Sequence, residues 1–124
     1  MTDAVALAKR FFDAIEAGDV ETVADCYAED AVIWHNTDGI ETSKADNLKV
    51  LGQFVKYLPG RCYEDRRVSA TADGFVQQHR LTRPRADGTT AAVTACIVCR
   101  VKDGKITRLD EYFDQAAIDA FPKG

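Results

Sequence analysis

The sequence lacks any long, uninterrupted hydrophobic run. Its longest mostly apolar stretches are residues 91–101 and 4–12, and polar residues interrupt both of them. A membrane-spanning helix needs about 20 consecutive apolar residues, so neither stretch predicts one. The first ten residues carry an acid where a secretory signal carries basic residues. We therefore expect a cytoplasmic protein with no membrane partner.

The sequence also lacks an excess of basic residues. It has 16 Lys and Arg against 20 Asp and Glu, which gives a formal net charge of −4. Proteins that bind nucleic acid usually carry clustered positive charge, so we expect no nucleic-acid partner. No linker rich in proline, glycine or serine divides the 124 residues, and this length suits one core. The sequence therefore predicts a single domain over residues 1–124.

The four cysteines are widely spread along the chain and lack the spacing of a zinc site. Only Cys96 and Cys99 are close, and residues three apart on a strand point to opposite faces. Zinc would also need a second pair of ligands. The sequence has neither a Gly-x-Gly-x-x-Gly motif nor a phosphate-binding lysine loop. We expect reduced structural thiols, no metal and no cofactor.

The first half of the chain has helical periodicity. Apolar residues within 4–15 recur on one helical face, and Gly18 is suited to end that helix in a left-handed conformation. Asp19 can cap a second helix, whose apolar positions extend to Tyr27. These residues predict two helices joined by a sharp turn.

A strand, a loop and a third helix should follow. Residues 31–35 are β-branched or aromatic and predict a strand, and residues 36–42 have the composition of a loop. Ser43 can cap a third helix that ends before Pro59. Asp-Gly turns then separate four β-rich runs, and a short helical turn can follow at residues 115–121. The four predicted strands are residues 62–71, 75–83, 89–101 and 105–113.

The predicted order is α-α-β-α-β-β-β-β, which indicates the α+β class. Three hairpins in series should make a strongly curved antiparallel sheet, because strands this long twist and curl. We expect the three helices to pack on its concave side in a cone, with a pocket between helices and sheet. The convex side stays partly apolar, which predicts a homodimer through that face.

The helix-turn-helix at residues 10–19, the strand segment 27–35 and the final strand segment 103–114 together resemble the nuclear transport factor 2-like superfamily. The resemblance covers essentially the whole chain and is strongest to the SnoaL-like and ketosteroid isomerase-like branch. It implies a cystatin-like α+β cone. It does not imply one activity, because the superfamily includes isomerases, cyclases, hydrolases, dehydratases and non-catalytic binders.

Comparison with ketosteroid isomerases implies a different chemistry. His35 occupies the place similar to that of the family's general-base aspartate. The tyrosine and the protonated aspartate of the steroid oxyanion hole correspond to Phe11 and Ile97. The resemblance therefore implies an apolar wall where that family has two donors, and steroid isomerisation by that mechanism is not expected.

His35 is the strongest candidate for chemistry, because a histidine can accept and return a proton near neutral pH. The resemblance directs Leu109, Glu111 and Phe113 of the last strand into the pocket. Glu111 could then orient His35 or accept its proton, as proton abstraction or water activation requires. The alternative is a cavity histidine that only holds a ligand or satisfies buried backbone.

Several further residues are candidates for ligand contact. His79 lies in a Gln77-Gln78-His79 run that is unusual for a core strand; it could contact a ligand, act as a second base, or belong to an exposed or interfacial polar patch. Asn36 and Asp38 could ring the pocket mouth, although turn formation alone explains them. The apolar wall is predicted from Tyr27, Phe54, Tyr57 and Leu58.

Two functions therefore remain open. The first is an isomerase, cyclase, dehydratase or hydrolase that needs no cofactor and applies His35 and Glu111 to a small apolar molecule carrying oxygen. The second is a non-catalytic module for binding lipophilic ligands or for dimerisation.

Overall fold

The computed structural model describes residues 3–121, so residues 1–2 and 122–124 of the predicted domain lie outside the described residues. Within this range none of the helices is both long enough and apolar enough to cross a membrane. The elements, in chain order, are α1 (Ala4–Ala17), α2 (Val20–Cys26), β1 (Tyr27–His35), β2 (Glu41–Ser43), α3 (Lys44–Tyr57), β3 (Cys62–Ala70), β4 (Gly74–Pro84), β5 (Thr90–Lys102), β6 (Lys105–Phe113) and α4 (Gln115–Asp119).

The helix boundaries follow from side-chain and glycine caps. Gly18 adopts a left-handed conformation with φ 75°, and its N–H donates to carbonyls at the end of α1. The Asp19 side chain accepts from the Thr22 N–H at the start of α2. The Ser43 hydroxyl accepts from the Asp46 N–H at the start of α3. The predicted helix starts and stops are therefore confirmed at these positions.

The six strands of the described chain form one sheet in the order β2-β1-β6-β5-β4-β3. The hairpins β3–β4, β4–β5 and β5–β6 are antiparallel, as the turn signals predict. The pair β1–β6 is parallel, so the sheet is mixed. Irregular pairing interrupts the register in β3 near Asp65, whose φ is 54°, and again beyond Arg100. Such bulges bend strands, and the α+β cone with a curled sheet is confirmed.

Two sequence predictions need correction. Tyr27 begins β1 and does not extend α2, because its backbone is extended and pairs with Ile106 of β6. The predicted loop 36–42 is shorter than expected, because β2 begins at Glu41 and pairs with β1. The sheet thus has a short edge strand that could not be predicted from the polar composition of this segment.

The helices cover the concave side of the sheet unevenly. α1 buries six residues, among them Phe11 and Phe12, against the inward side chains of the strands. α3 has no fully buried residue, although Leu51 and Phe54 pack partly against the core. The partly exposed inward face of α3 borders the cavity described below.

Candidate active site in the cone

A cavity of about 240 Å³ lies between α1, α3 and the inward face of the sheet. Most of its lining is hydrophobic, and a few polar side chains converge in it, as is usual for small-molecule sites. Nine residues that the sequence singles out line this cavity: Phe11, Tyr27, His35, Phe54, His79, Ile97, Leu109, Glu111 and Phe113. The geometry brings them together, and their functional roles stay predictions.

His35 and Glu111 form the polar pair of the cavity wall. They lie opposite each other in the parallel ladder of β1 and β6, and His35 Nε2 is 3.1 Å from Glu111 Oε1. Their side chains are 28% and 26% exposed, so water reaches the pair only partly. The hydrogen bond to Glu111 raises the pKa of His35, against the opposing effect of burial. The arrangement can hold, accept and return a proton.

Two tyrosines add neutral hydroxyl groups to the cavity. The Tyr27 hydroxyl donates to Asn47 Oδ1 at 3.0 Å, which joins β1 to α3. Tyr63 on β3 packs edge-on against Phe12. Burial raises the pKa of both tyrosines above the ordinary phenol value, so both phenols remain protonated at neutral pH.

His79 is buried on the inner face of β4, where it lines the same cavity. It is 2% exposed, and its Nδ1 lies 2.9 Å from the Gln77 amide nitrogen. Burial lowers the pKa of His79 to about 4, so the ring is neutral at pH 7. The possibility of an exposed polar patch is therefore wrong for Gln77 and His79, because both alternate onto the inner face of β4.

Phe11 and Ile97 form an apolar part of the wall. They are 2% and 1% exposed, and Phe11 packs edge-on against Tyr27 with 5.3 Å between ring centroids. Neither side chain can donate a hydrogen bond, so this part of the cavity favours the hydrocarbon portion of a ligand.

The prediction that Tyr57 and Leu58 belong to the apolar wall is wrong. Neither is among the residues that line the cavity. Tyr57 is 47% exposed at the end of α3, and Leu58 is buried in a separate cluster with Leu81 and Phe121. The helix ends at Tyr57, so the helical spacing used to predict the wall no longer applies beyond it.

The loop candidates have structural partners. The Asn36 side chain accepts from the Phe113 N–H, and the Asp38 side chain accepts from the Ile40 N–H. Neither residue lines the cavity. Trp34 points outward, where it packs against Tyr112 with 5.3 Å between ring centroids. These contacts agree with the interpretation of Asn36 and Asp38 as turn-forming residues.

Sequence reasoning missed two polar residues of the cavity, Asn47 and Tyr63. Asn47 lies four residues before Leu51 and seven before Phe54, so helical spacing places it on the inward face of α3. Tyr63 precedes the β3 irregularity, and strand alternation could have placed it inward. Among the described residues, no cluster of three His, Cys, Asp or Glu side chains has the geometry to hold a metal ion.

The mixed, curled sheet and its helices thus form an apolar cavity with a histidine–carboxylate pair in its wall. The SnoaL-like domain family matches residues 8–109, and the chain belongs to that family. None of the curated proteins matches the chain by sequence.

Solved structures share the fold across nearly the whole chain. IdmH, a proposed polyketide cyclase from Streptomyces antibioticus, is 18% identical over 96% of this chain and 97% of its own, with a TM-score of 0.85. A proposed polyketide cyclase from Pseudomonas putida is 21% identical over 95% and 96%, with a TM-score of 0.81. An epoxide hydrolase of Mycobacterium tuberculosis is 19% identical over 94% and 86%, with a TM-score of 0.76. At these identities the likeness concerns the fold.

Proposed function

We propose that the protein is an enzyme that transfers protons within a small, largely apolar molecule that carries oxygen. The observation that carries this proposal is the 3.1 Å contact between His35 Nε2 and Glu111 Oε1 at the cavity wall. Proton transfer needs only groups that accept and donate a proton, and this pair supplies both without a cofactor.

Glu111 determines which ring nitrogen of His35 can accept a proton. A carboxylate oxygen accepts from Nε2–H of His35, which leaves Nδ1 of a neutral ring as the nitrogen that takes a proton. Once His35 is protonated, the negative charge of Glu111 stabilises the imidazolium, and the proton can return to the substrate. The raised pKa of His35 agrees with this stabilisation. The similar structures of two proposed polyketide cyclases and an epoxide hydrolase support an enzymatic role for a protein of this fold.

The rest of the cavity supports an apolar substrate of modest size. Phe11, Ile97 and Leu109 present hydrocarbon surface, and the volume of about 240 Å³ limits what enters. Isomerisation and aldol-type cyclisation both begin with removal of a proton next to a carbonyl. Dehydration and epoxide opening can use the same pair as acid or base. The chemical structure of the bound substrate decides which of these reactions occurs.

The proposal can be tested without the natural substrate by using 1-tetralone, an apolar ketone with exchangeable protons next to its carbonyl. Proton NMR in D₂O would follow deuterium exchange at that carbon. We expect the protein to accelerate exchange, and His35→Ala to reduce the acceleration on the order of a hundredfold or more. Trp34→Phe is the matched control, because Trp34 neighbours His35 but points away from the cavity.

Equal acceleration by the wild-type protein and the His35→Ala variant would overturn the assignment of His35. Saturable binding of 1-tetralone without accelerated exchange would favour the second function, a non-catalytic binder of lipophilic molecules. Circular dichroism of each variant separates loss of chemistry from loss of fold.

We also propose that two copies associate through the outer face of the sheet. Tyr112 and Val98 are exposed there at 44% and 38%, and Trp34 packs beside Tyr112. Sedimentation at micromolar concentration should give the mass of a dimer. A monomer under those conditions contradicts this association and leaves the proton-transfer proposal unaffected.

A further inference from the structure

His79 has one ring nitrogen whose partner is known and one without a partner. The Gln77 amide nitrogen lies 2.9 Å from Nδ1. An amide nitrogen can only donate, so Nδ1 accepts and the proton of the neutral ring lies on Nε2. Among the described residues, Nε2 of His79 is a buried side-chain atom with no hydrogen-bond partner.

Two aromatic rings cover much of the His79 imidazole. The rings of Phe12 and Tyr63 pack against the imidazole, with centroid distances of 5.1 Å and 4.5 Å. Buried donors without an acceptor are rare because they are unfavourable. His79 lines the cavity, so an oxygen of a bound ligand could supply the acceptor that Nε2–H lacks.

The strand register places this donor on the same inner face of the sheet as the proton-transfer pair, two strands away from Glu111. His79 of β4 pairs with Ala95 of β5, which pairs with Phe113 of β6. Glu111 is the preceding inward position on β6 and lies beside His35. Two strand spacings of about 4.8 Å separate β4 from β6. Ala95, which pairs with His79, contributes a small side chain to the lining of the same cavity.

We propose that Nε2–H of His79 donates a hydrogen bond to the carbonyl oxygen of the substrate, so that the substrates are ketones with a C–H bond next to the carbonyl. This inference rests on the proposed function and names its substrate class. A neutral imidazole suits this task because it donates without titrating near pH 7.

The reaction then has two balanced halves. His35 takes the proton from the carbon next to the carbonyl, the C–H electron pair forms a C=C bond, and the carbonyl π pair moves onto oxygen. The enolate oxygen carries the negative charge and accepts from Nε2–H of His79. Return of the proton from His35 to carbon restores the ketone and the neutral histidine, and return at a different carbon of a conjugated enolate isomerises the substrate. A donor aimed at a developing oxyanion is an effective electrostatic contribution in a cavity of low polarity.

The first test is the tautomer of His79 in the wild-type protein. Long-range ¹⁵N–¹H NMR at pH 7 should show a neutral ring with the proton on Nε2. A proton on Nδ1 would mean that the Gln77 amide presents its oxygen, and it would overturn the proposal without any variant.

The second test compares 1-tetralone with tetralin, which has the same two rings and no oxygen. We expect 1-tetralone to bind more tightly than tetralin to the wild-type protein. His79→Phe should weaken 1-tetralone binding on the order of tenfold, the usual effect of one hydrogen bond, and leave tetralin binding unchanged. His79→Gln keeps an N–H donor and should restore part of the preference.

Equal weakening of both ligands in His79→Phe would assign the residue to packing alone and overturn the proposal. A wild-type protein that binds 1-tetralone no more tightly than tetralin would overturn it as well. Failure of the proposed function can be distinguished from failure of this inference. If the proposed function is wrong, His35→Ala leaves the rate of exchange unchanged, whatever it does to ligand binding. If both proposals hold, His35→Ala loses most of the acceleration of exchange and keeps the preference for 1-tetralone.

Discussion

His35 and Glu111 face each other directly across the parallel ladder of β1 and β6, with 3.1 Å between Nε2 and Oε1. The two residues are 76 positions apart in sequence, and two independent strands fix their backbones. Because neither side chain lies on a loop, the distance between them depends on sheet register. A histidine–carboxylate pair held in this way has the fixed geometry that the proposed proton transfer requires.

Replacing Glu111→Gln should lower the pKa of His35, because burial then acts without the opposing carboxylate. The hydrogen bond in the native protein raises the pKa of His35 above its unfolded value. Its stabilisation is therefore fully present below pH ~6.5 and is lost as the pH rises through the folded pKa. The variant should lose more free energy of unfolding at pH 6 than at pH 9.

NMR titration of the His35 ring and urea unfolding at these two pH values would measure both effects. Asp38→Asn is a control for general loss of negative charge near His35, since Asp38 makes the smallest of the contributions to its pKa shift. A pKa of His35 that is unchanged in Glu111→Gln would contradict the pairing.

The sequence predicts most of the fold because the residues that begin and end its helices act locally. Gly18, Asp19 and Ser43 act through their own backbone neighbourhoods, and all three behave as predicted. The edge strand β2 escapes prediction, because three residues of mixed polarity become a strand only by pairing with β1. Tertiary pairing likewise moves Tyr27 from helix to strand.

The candidate site is predictable only in part. Strand alternation places His35 and His79 on inner faces, but the contact of His35 with Glu111 depends on the parallel register of β1 and β6. The environment of His79 depends on Tyr63, which lies beside an irregularity of β3. Burial and hydrogen-bond partners of this kind come from long-range packing, which residue types alone do not encode.

His79 should make the protein sensitive to acid. Its folded pKa of about 4 is below the ordinary value of ~6.5, so the neutral ring favours the folded state above pH ~6.5. This stabilisation declines as the pH falls toward 4. Between pH 7 and pH 4.5 the wild-type protein should lose about 2 kcal/mol relative to His79→Phe.

Urea unfolding of both proteins across this range isolates the histidine, because the carboxylates titrate in both and largely cancel. His79→Phe keeps an aromatic ring between Phe12 and Tyr63, which limits the change in packing. A difference in unfolding free energy that stays constant with pH would show that His79 is protonated as readily in the folded state as in the unfolded chain.

Arg61 should stabilise the junction of α1 and α3. Its guanidinium donates to the carbonyls of Ile15 and Glu16 at the end of α1, and to those of Val55 and Leu58 at the end of α3, at 2.9–3.2 Å. Helix C-termini attract positive charge, and their last carbonyls need donors.

Arg61→Ala should therefore cost about 3 kcal/mol of unfolding free energy. Arg61→Lys should recover only part of it, since an ammonium group lacks the planar fork that reaches several carbonyls at once. The matched control is Arg67→Ala, because Arg67 is an exposed arginine of β3, the strand that follows Arg61. If Arg61→Ala and Arg67→Ala are equally stable in urea unfolding, Arg61 does not stabilise the junction of α1 and α3.

Gly74 and Gly52 should respond in opposite ways to alanine. A Cβ at Gly74 would lie 1.9 Å from the Cys99 carbonyl oxygen on the neighbouring strand, so the two backbones would have to separate. Gly74→Ala should cost roughly 3 kcal/mol, at the upper end of the usual range for overpacking. Gly52 lies inside α3 with nothing within 4 Å of its Cβ position, so Gly52→Ala should stabilise by about 0.8 kcal/mol through helix propensity. Thermal and urea unfolding of the two variants would measure both changes, and a tolerated Gly74→Ala would contradict the close approach of β4 to β5.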